Sequence, residues 1–438
     1  MSRKIYVVTD LGPGDGGKGG VVHKIVTMLR RLLHVVIKRG GAQGSHGVTN
    51  SRGEKFNFSQ WGCGTFEGVP TYLSEQMVVM PMAMLTEAEG LQRASGIYDV
   101  FTLLSADANC ICASPYHGIS SRLKELARGA NPRGTIGTGV GEAFRYHMAR
   151  PDQTIRVRDL TDPYLSDKLE MQAAAIREDL SALNAGRFLI EDQELLEEEL
   201  EILHHTDFLR ECAKQYKLVG EKLRVASLQE ILSHEGVAVV ECSHGVLTDS
   251  EVGLRPHVSA IRTLPRFTTE MLRAAGHTGE IVNLGVHRAY SIRHGAGPLP
   301  THDPAMSEQL LPGSNKAANR WQGEVRVGPL DMPLLQHAID LCDGPASFDG
   351  LCVTWFDQVV RNGLWRVCYE YEEQMTDLCV RSTQRWLESV PIISEVPIDP
   401  NLSRERYFQI AAEVLDISLG VPVRMVSFGP TELDKLCR

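Results

Sequence analysis

The chain has 438 residues, of which 43% are hydrophobic and 23% charged, and its formal net charge is −10. That balance is ordinary for a globular protein. It argues against a general nucleic-acid or membrane-surface binder, since no excess basic face is available, while leaving room for a local basic pocket. Ten cysteines occur without a C-x-x-C pair, and neither a signal peptide nor an apolar run of membrane length is evident, so reduced thiols in the cytoplasm are expected.

The first apolar run is Ile5, Tyr6, Val7 and Val8, a strand by composition. It empties into Gly12–Gly19, G-P-G-D-G-G-K-G, with five glycines in eight residues. Glycine loses the most conformational freedom on folding, so this density implies a close approach of backbone to a ligand. A strand, a glycine-rich loop and a following helix aim backbone N–H groups at one point and cradle phosphate. The spacing G-x-x-x-x-G-K matches a P-loop, with Gly19 where Ser or Thr would bind Mg²⁺. Asp15 lies inside the loop, where a carboxylate is repulsive unless it binds metal or accepts a proton.

Further strands are expected at Val35–Lys38, Met77–Met80, Phe101–Leu104, Val237–Glu241, Ile281–Val286 and Leu351–Thr354, alternating with helical stretches. The expected fold is therefore α/β, a large mainly parallel central sheet flanked by helices, P-loop-like, with ligands at the carboxyl ends of the strands. The stretch from about 163 to 220 differs. Asp192–His205 carries six acidic residues with leucines at helical spacing, and reads as a solvated helical insertion into a single domain spanning the chain.

Two more glycine-rich loops follow strands or precede helices: Gly40–Gly47, which carries His46 as a candidate general acid, and Gly134–Gly141, followed by Arg145 and Arg150, either of which is able to grip a phosphate. Glu241-Cys242-Ser243-His244-Gly245 lacks the G-x-S-x-G spacing of a nucleophile elbow and reads as a polar strand end lining a pocket. His294–Thr301 is a rigid Gly/Pro loop.

These loops, in this order, resemble adenylosuccinate synthetases. The family's W-G-D-E-G-K-G appears as Pro13–Gly19, its G-G-x-N-A-G-H-T as Gly40–Gly47 and its G-T-T-G-x-G-I-G-P-A-Y as Gly134–Phe144. Its V-G-A-G-P-F-P-T-E appears as His294–His302 and its S-T-G-P as Ser427–Pro430. The resemblance implies a ligase that joins aspartate to C6 of a purine nucleotide through a 6-phosphoryl intermediate. It assigns Asp15 as general base and Mg²⁺ ligand with Ser45, His46 as the acid at the moving phosphoryl group, and Lys18 as its electrostatic partner. Gly14, Gly16, Gly17, Lys18, Gly19, Asp357, Ser427 and Gly429 would bind the nucleoside triphosphate. Asp15, Gln43, Thr135, Ile136, Arg150, His244 and Ser259 would bind the purine mononucleotide. Asn319, Arg320, Trp321, Gln322 and Arg326 would bind aspartate. Arg150 would reach the nucleotide of a second subunit, which implies a homodimer with shared sites.

The departures from the family pattern are specific. Gly16 replaces Glu, Gln43 replaces Asn, Ile136 replaces Thr and His244 replaces Gln, and the arginine cluster before G-W-L-D is thinned in Asn315–Asp331. The guanine-reading T-K-x-D becomes Thr354-Trp355-Phe356-Asp357, so ATP or dATP joins GTP as a candidate donor. These changes resemble the phage branch that builds N6-succino-2-amino-2′-deoxyadenylate from dGMP, whereas retention of Asp15 favours an IMP-type acceptor. A P-loop kinase and a catalytically inactive nucleotide-binding module are the competing readings.

Overall fold

The computed structural model describes residues 4–183, 188–189, 192–312, 320–372 and 389–438. Eleven strands form one sheet among the described residues: β1 (Lys4–Asp10), β2 (Leu33–Gly41), β3 (Thr71–Val79), β4 (Leu104–Ala106), β5 (Ile111–Cys112), β6 (Arg224–Val225), β7 (Val237–Gly245), β8 (Glu280–Arg288), β9 (Gly350–Thr354), β10 (Val423–Ser427) and β11 (Lys435–Cys437). Their order is β11-β10-β9-β8-β1-β7-β2-β3-β4-β6, with β5 also paired to β3. Every pairing is parallel except that of β10 with β11.

The central strands are apolar along their whole length because both faces are covered. Successive side chains point to opposite faces: Val8, Val36 and Val239 join one buried cluster, while Val7, Ile37 and Val240 join another. Removing each such side chain from water contributes roughly 1.5–3 kcal/mol.

Because β1 and its neighbours run parallel, their carboxyl ends share one rim. The ends of β1, β2, β7, β8 and β9 there carry Asp10, Gly41, Gly245, Arg288 and Thr354.

One expected strand is corrected. Phe101–Leu104 is not extended: Val100–Leu103 forms a 3-10 turn whose N-cap, Asp99, accepts from the Phe101 amide, and the strand starts only at Leu104. The carboxylate two residues upstream supplies a local partner that outweighs the β propensity of the run.

The acidic stretch is helical, Gln193–His204, lying between the helices Leu165–Ser181 and Thr206–Lys222. Leu195 and Leu203 are buried in a cluster with Tyr116 and Ile119. No helix among the described residues is long and apolar enough to cross a membrane.

Candidate active site

The loop after β1 is organised by Asp10. Its buried carboxylate accepts from the Gly12 amide (2.9 Å), the Gly16 amide (2.7 Å) and Lys18 Nζ (2.8 Å). Lys18 Nζ also donates to the His244 carbonyl at 2.8 Å, which ties the loop to the end of β7. Gly14 (φ 109°) and Gly17 (φ 93°) are left-handed, as is Asp15 (φ 61°), which holds a conformation that costs a non-glycine residue energy. Two bonds fix it there. Arg288 Nε donates to the Asp15 carbonyl (2.6 Å), and Thr354 Oγ1 donates to the Gly16 carbonyl (2.6 Å). The helix Lys18–Leu29 then starts with its N-terminus at the loop.

His46 packs against the first turn of that helix: a Cβ on Gly19 would lie 3.0 Å from His46 Cβ and 2.7 Å from the Gly47 carbonyl. Its Nδ1 meets Glu241 Oε1 at 2.6 Å, while Lys38 Nζ donates to the same oxygen (2.7 Å) and the Cys63 amide to Oε2 (2.9 Å). Burial pushes the His46 imidazole down to about 4, against the raising effect of Glu241. Burial raises Glu241, yet Lys38 and His46 together hold it below the usual carboxylate range. With no phosphate anion beside it His46 is thus neutral, its one N–H given to Glu241, so Nε2 donates to a phosphoryl oxygen only after an arriving anion raises the imidazole and it takes up a second proton. His46, Cys63 and Glu241 place ligand atoms within 4.8 Å of one another. The Lys38 ammonium already occupies the carboxylate, so the cluster is an ion pair with an imidazole rather than a cation site.

Gln43 Nε2 lies 2.8 Å from His244 Nε2. His244 has φ 65°, and burial, with Lys18 nearby, lowers its imidazole to about 4. Ser45 is exposed on the same loop as Gln43. Ser259 closes a local turn, its amide donating to the Thr248 carbonyl at 2.8 Å.

The third glycine loop meets the Gly/Pro loop that begins at His294. Gly134 lies so close to Ala296 that a Cβ would come 2.9 Å from its amide, and one on Gly295 would come 2.5 Å from the Gln322 carbonyl. Trp321 stands against Gly137 and over Arg122. The amides of Gly134 and Thr135 donate to Glu125 (2.7 and 3.4 Å), and Thr135 Oγ1 meets Ser121 Oγ at 3.0 Å. Ile136 is half-buried. Arg150 pairs with Asp179 of the same chain (2.7 Å) and stacks on Tyr146. Arg326 Nη2 donates to the carbonyls of Gly295 (2.9 Å) and Gly297 (2.6 Å), while Arg320 is exposed. Asn319 lies outside the described residues.

On the far side of the phosphate loop, Trp355 (φ 59°) carries the Arg288 guanidinium 4.4 Å over its ring. Asp357 accepts from Gln358 Nε2 at 2.8 Å, and burial raises its carboxyl. Ser427 Oγ donates to the Gly429 carbonyl at 3.0 Å. Lys435 holds this turn together through the Thr431 carbonyl (2.8 Å), and burial brings its ammonium down to about 8.

Sequence reasoning missed Asp10, Lys38 and Arg288, and it named Glu241 only within a polar strand end lining a pocket and His294 only within a rigid Gly/Pro loop. Two left a signal: Lys38 is a charge inside a continuous apolar strand, and Asp10 is an acid ending the strand before the loop.

A parallel sheet whose first strand empties into a glycine cradle, with a carboxylate inside it and a buried imidazole–carboxylate pair beside it, defines an α/β nucleotide-dependent enzyme. The adenylosuccinate synthetase family model matches residues 7–434, and the chain belongs to that family. It is 29% identical over 393 residues to the adenylosuccinate synthetase of Mycobacterium sp. (strain KMS), covering 88% of this chain and 79% of that one. With the Bordetella pertussis enzyme it shares 26% over 453 residues, covering 98% and 96%. Among solved structures, the fully ligated adenylosuccinate synthetase of Plasmodium falciparum superposes with a TM-score of 0.77 at 15% identity, covering 99% of both chains. The cyanophage S-2L succinoaminodeoxyadenylate synthetase, bound to dGMP and dATP, gives 0.58 at 14% identity, covering 100% and 96%.

Proposed function

We propose that this protein is an NTP-dependent ligase that joins L-aspartate to C6 of a 6-oxopurine nucleotide, with IMP as the acceptor. The observation that carries the reading is the placement of Asp15, a carboxylate held at positive φ inside a phosphate cradle whose lysine is already paired with Asp10. A carboxylate so placed has a proton to take: Asp15 accepts it from purine N1, the 6-oxygen attacks the γ-phosphorus of the donor, and the bond from that phosphorus to the bridging oxygen breaks to release the nucleoside diphosphate. The loop amides and Lys18 stabilise the transferring group. His46, oriented by Glu241 and protonated when the phosphate anions arrive beside it, donates from Nε2 to the phosphoryl group as it moves. The aspartate amine then displaces phosphate at C6.

Mg²⁺ fits the donor set, since the Asp15 side chain is a hard oxygen ligand 23% exposed at the cleft. When bound with Asp15 and Ser45 as ligands, it would neutralise charge on the donor phosphates. Asp357, Ser427 and Gly429 would line the donor base, and the turn of Thr135 and Ile136 the acceptor phosphate. Gln43, His244 and Ser259 would surround the acceptor purine. Aspartate would lie at Asn319–Gln322 and Arg326. In a homodimer, Arg150 would exchange Asp179 for the partner's nucleotide.

Trp355, in place of the family's lysine, and the thinned arginines favour a second reading, a dGMP acceptor with ATP or dATP as donor. One panel separates the readings: aspartate and Mg²⁺ with IMP or dGMP, and ATP, dATP or GTP as donor, followed by phosphate release. Release with IMP supports the proposal, release with dGMP alone selects the second reading, and no release with any pair refutes both. Release without aspartate indicates a kinase or hydrolase.

A further inference from the structure

His294 ends the strand Ser291–His294, which pairs antiparallel with Val325–Gly328 so that His294 stands opposite Val325. Its Nδ1 lies 4.0 Å from Asp15 Oδ2, the two side chains being 16% and 23% exposed. Valine occupies this place in the V-G-A-G-P motif that the loop resembles. An imidazole there adds a polar ring directly against the carboxylate of the phosphate loop.

Both backbones are anchored. The Gly295 amide donates to the Glu324 carbonyl (2.8 Å), and Arg326 holds the carbonyls of Gly295 and Gly297. On the other side, the Asp15 carbonyl is held by Arg288 at 2.6 Å. With both main chains fixed, side-chain torsions alone close the gap to hydrogen-bond length. Arg293 donates to the carbonyls of Ala296 (3.1 Å) and His257 (3.2 Å), Arg326 to the two glycine carbonyls, and Arg288 to the Asp15 carbonyl and the Tyr290 hydroxyl (2.8 Å).

We propose that His294 is a positioning residue for Asp15, its ring N–H holding one carboxylate oxygen so that the other faces the acceptor base. The role needs only the neutral imidazole. It rests on the reading of Asp15 as the catalytic base, and its effect belongs in kcat rather than in nucleotide affinity. A carboxylate turned away by about 1 Å forfeits up to about a hundredfold in rate.

The experiment has two arms. In the kinetic arm, His294→Val is expected to lower kcat roughly tenfold with KM for both nucleotides within about twofold, and His294→Asn, which keeps an N–H near the position of Nδ1, to regain most of the loss. Full kcat in the valine variant, or an asparagine variant no better than valine, overturns the proposal. In the second arm, histidine-selective ¹⁵N NMR is recorded on the full chain saturated with the triphosphate, with the His294 ring signals assigned by their loss in His294→Val. Asp15→Ala is expected to move those signals; unmoved signals overturn the contact. Should the unmodified protein turn over no acceptor, the proposed function fails on its own, while the NMR arm still decides whether the two residues engage.

Discussion

Lys18 turns back on its own loop: its Nζ lies 2.8 Å from Asp10 Oδ2, with both side chains buried. The lysine expected to reach toward phosphate is thus held by an acid eight residues earlier, and the phosphate cradle is built around an internal ion pair. Removing one partner leaves an uncompensated buried charge. Asp10→Ala is expected to destabilise the fold by about 3–5 kcal/mol, read from urea unfolding, and a change below about 1 kcal/mol would contradict the role given to Asp10.

Asp15→Asn keeps the shape of the side chain and removes its basicity. Turnover should fall about 10²–10⁴-fold, while calorimetric titration shows nucleotide affinity largely intact. Mixing this variant with Arg150→Leu tests the shared-site dimer. Partial recovery of activity in the mixture is expected, and none supports an arginine that stays with Asp179.

Glu241 serves His46 and Lys38 together, so its loss reaches both catalysis and folding. Glu241→Gln should reduce kcat on the order of a hundredfold and lower the urea midpoint, because the Lys38 ammonium is left facing a neutral amide. An unchanged midpoint would show that Lys38 has another buried anion.

Acid should unfold this protein early. Burial sets the imidazoles of His46, His244 and His287 to about 4, against an ordinary value of 6.5. Between those values the unfolded chain binds protons that the folded chain refuses, so stability rises with pH across that window. It is complete above about pH 6.5 and falls away toward about pH 4. The loss continues lower as Glu241, whose folded value is depressed, takes up its proton. Denaturant midpoints at pH 7.5 and 5 should differ markedly; equal midpoints would rule these buried imidazoles out as the cause.

Gly19→Ala improves helix propensity yet sets a methyl 2.7 Å from the Gly47 carbonyl. The strand bearing His46 must move away, so kcat should drop at least about tenfold. Unchanged kcat would mean that His46 tolerates displacement.

Strands β1, β2, β7, β8 and β9 were legible because buried parallel strands are continuous apolar runs, and the phosphate loop because its glycines sit at one spacing. At Phe101–Leu104 the same signal misled, since Asp99 offered the run a cap that periodicity does not register. Strands β10 and β11 went unread, the latter being only Lys435–Cys437. The candidate site was legible where a chemically capable side chain stands in a glycine-rich loop, as Asp15 and His46 each do. It was opaque where partners meet across the fold: Glu241 is 195 residues from His46, and Arg288 is 273 from Asp15.

The acidic helix Gln193–His204 has a second face. Glu199 pairs with Arg122 (2.6 Å), whose other nitrogen donates to the Gly137 carbonyl at 2.8 Å. A segment whose charge pattern suggests solvated padding therefore acts as a guy-rope on the third glycine loop. Trimming it to make a smaller catalyst, or exchanging it with that of a relative, would slacken a turn on the opposite side of Arg122. Acceptor affinity would then change without a single substitution in the cleft.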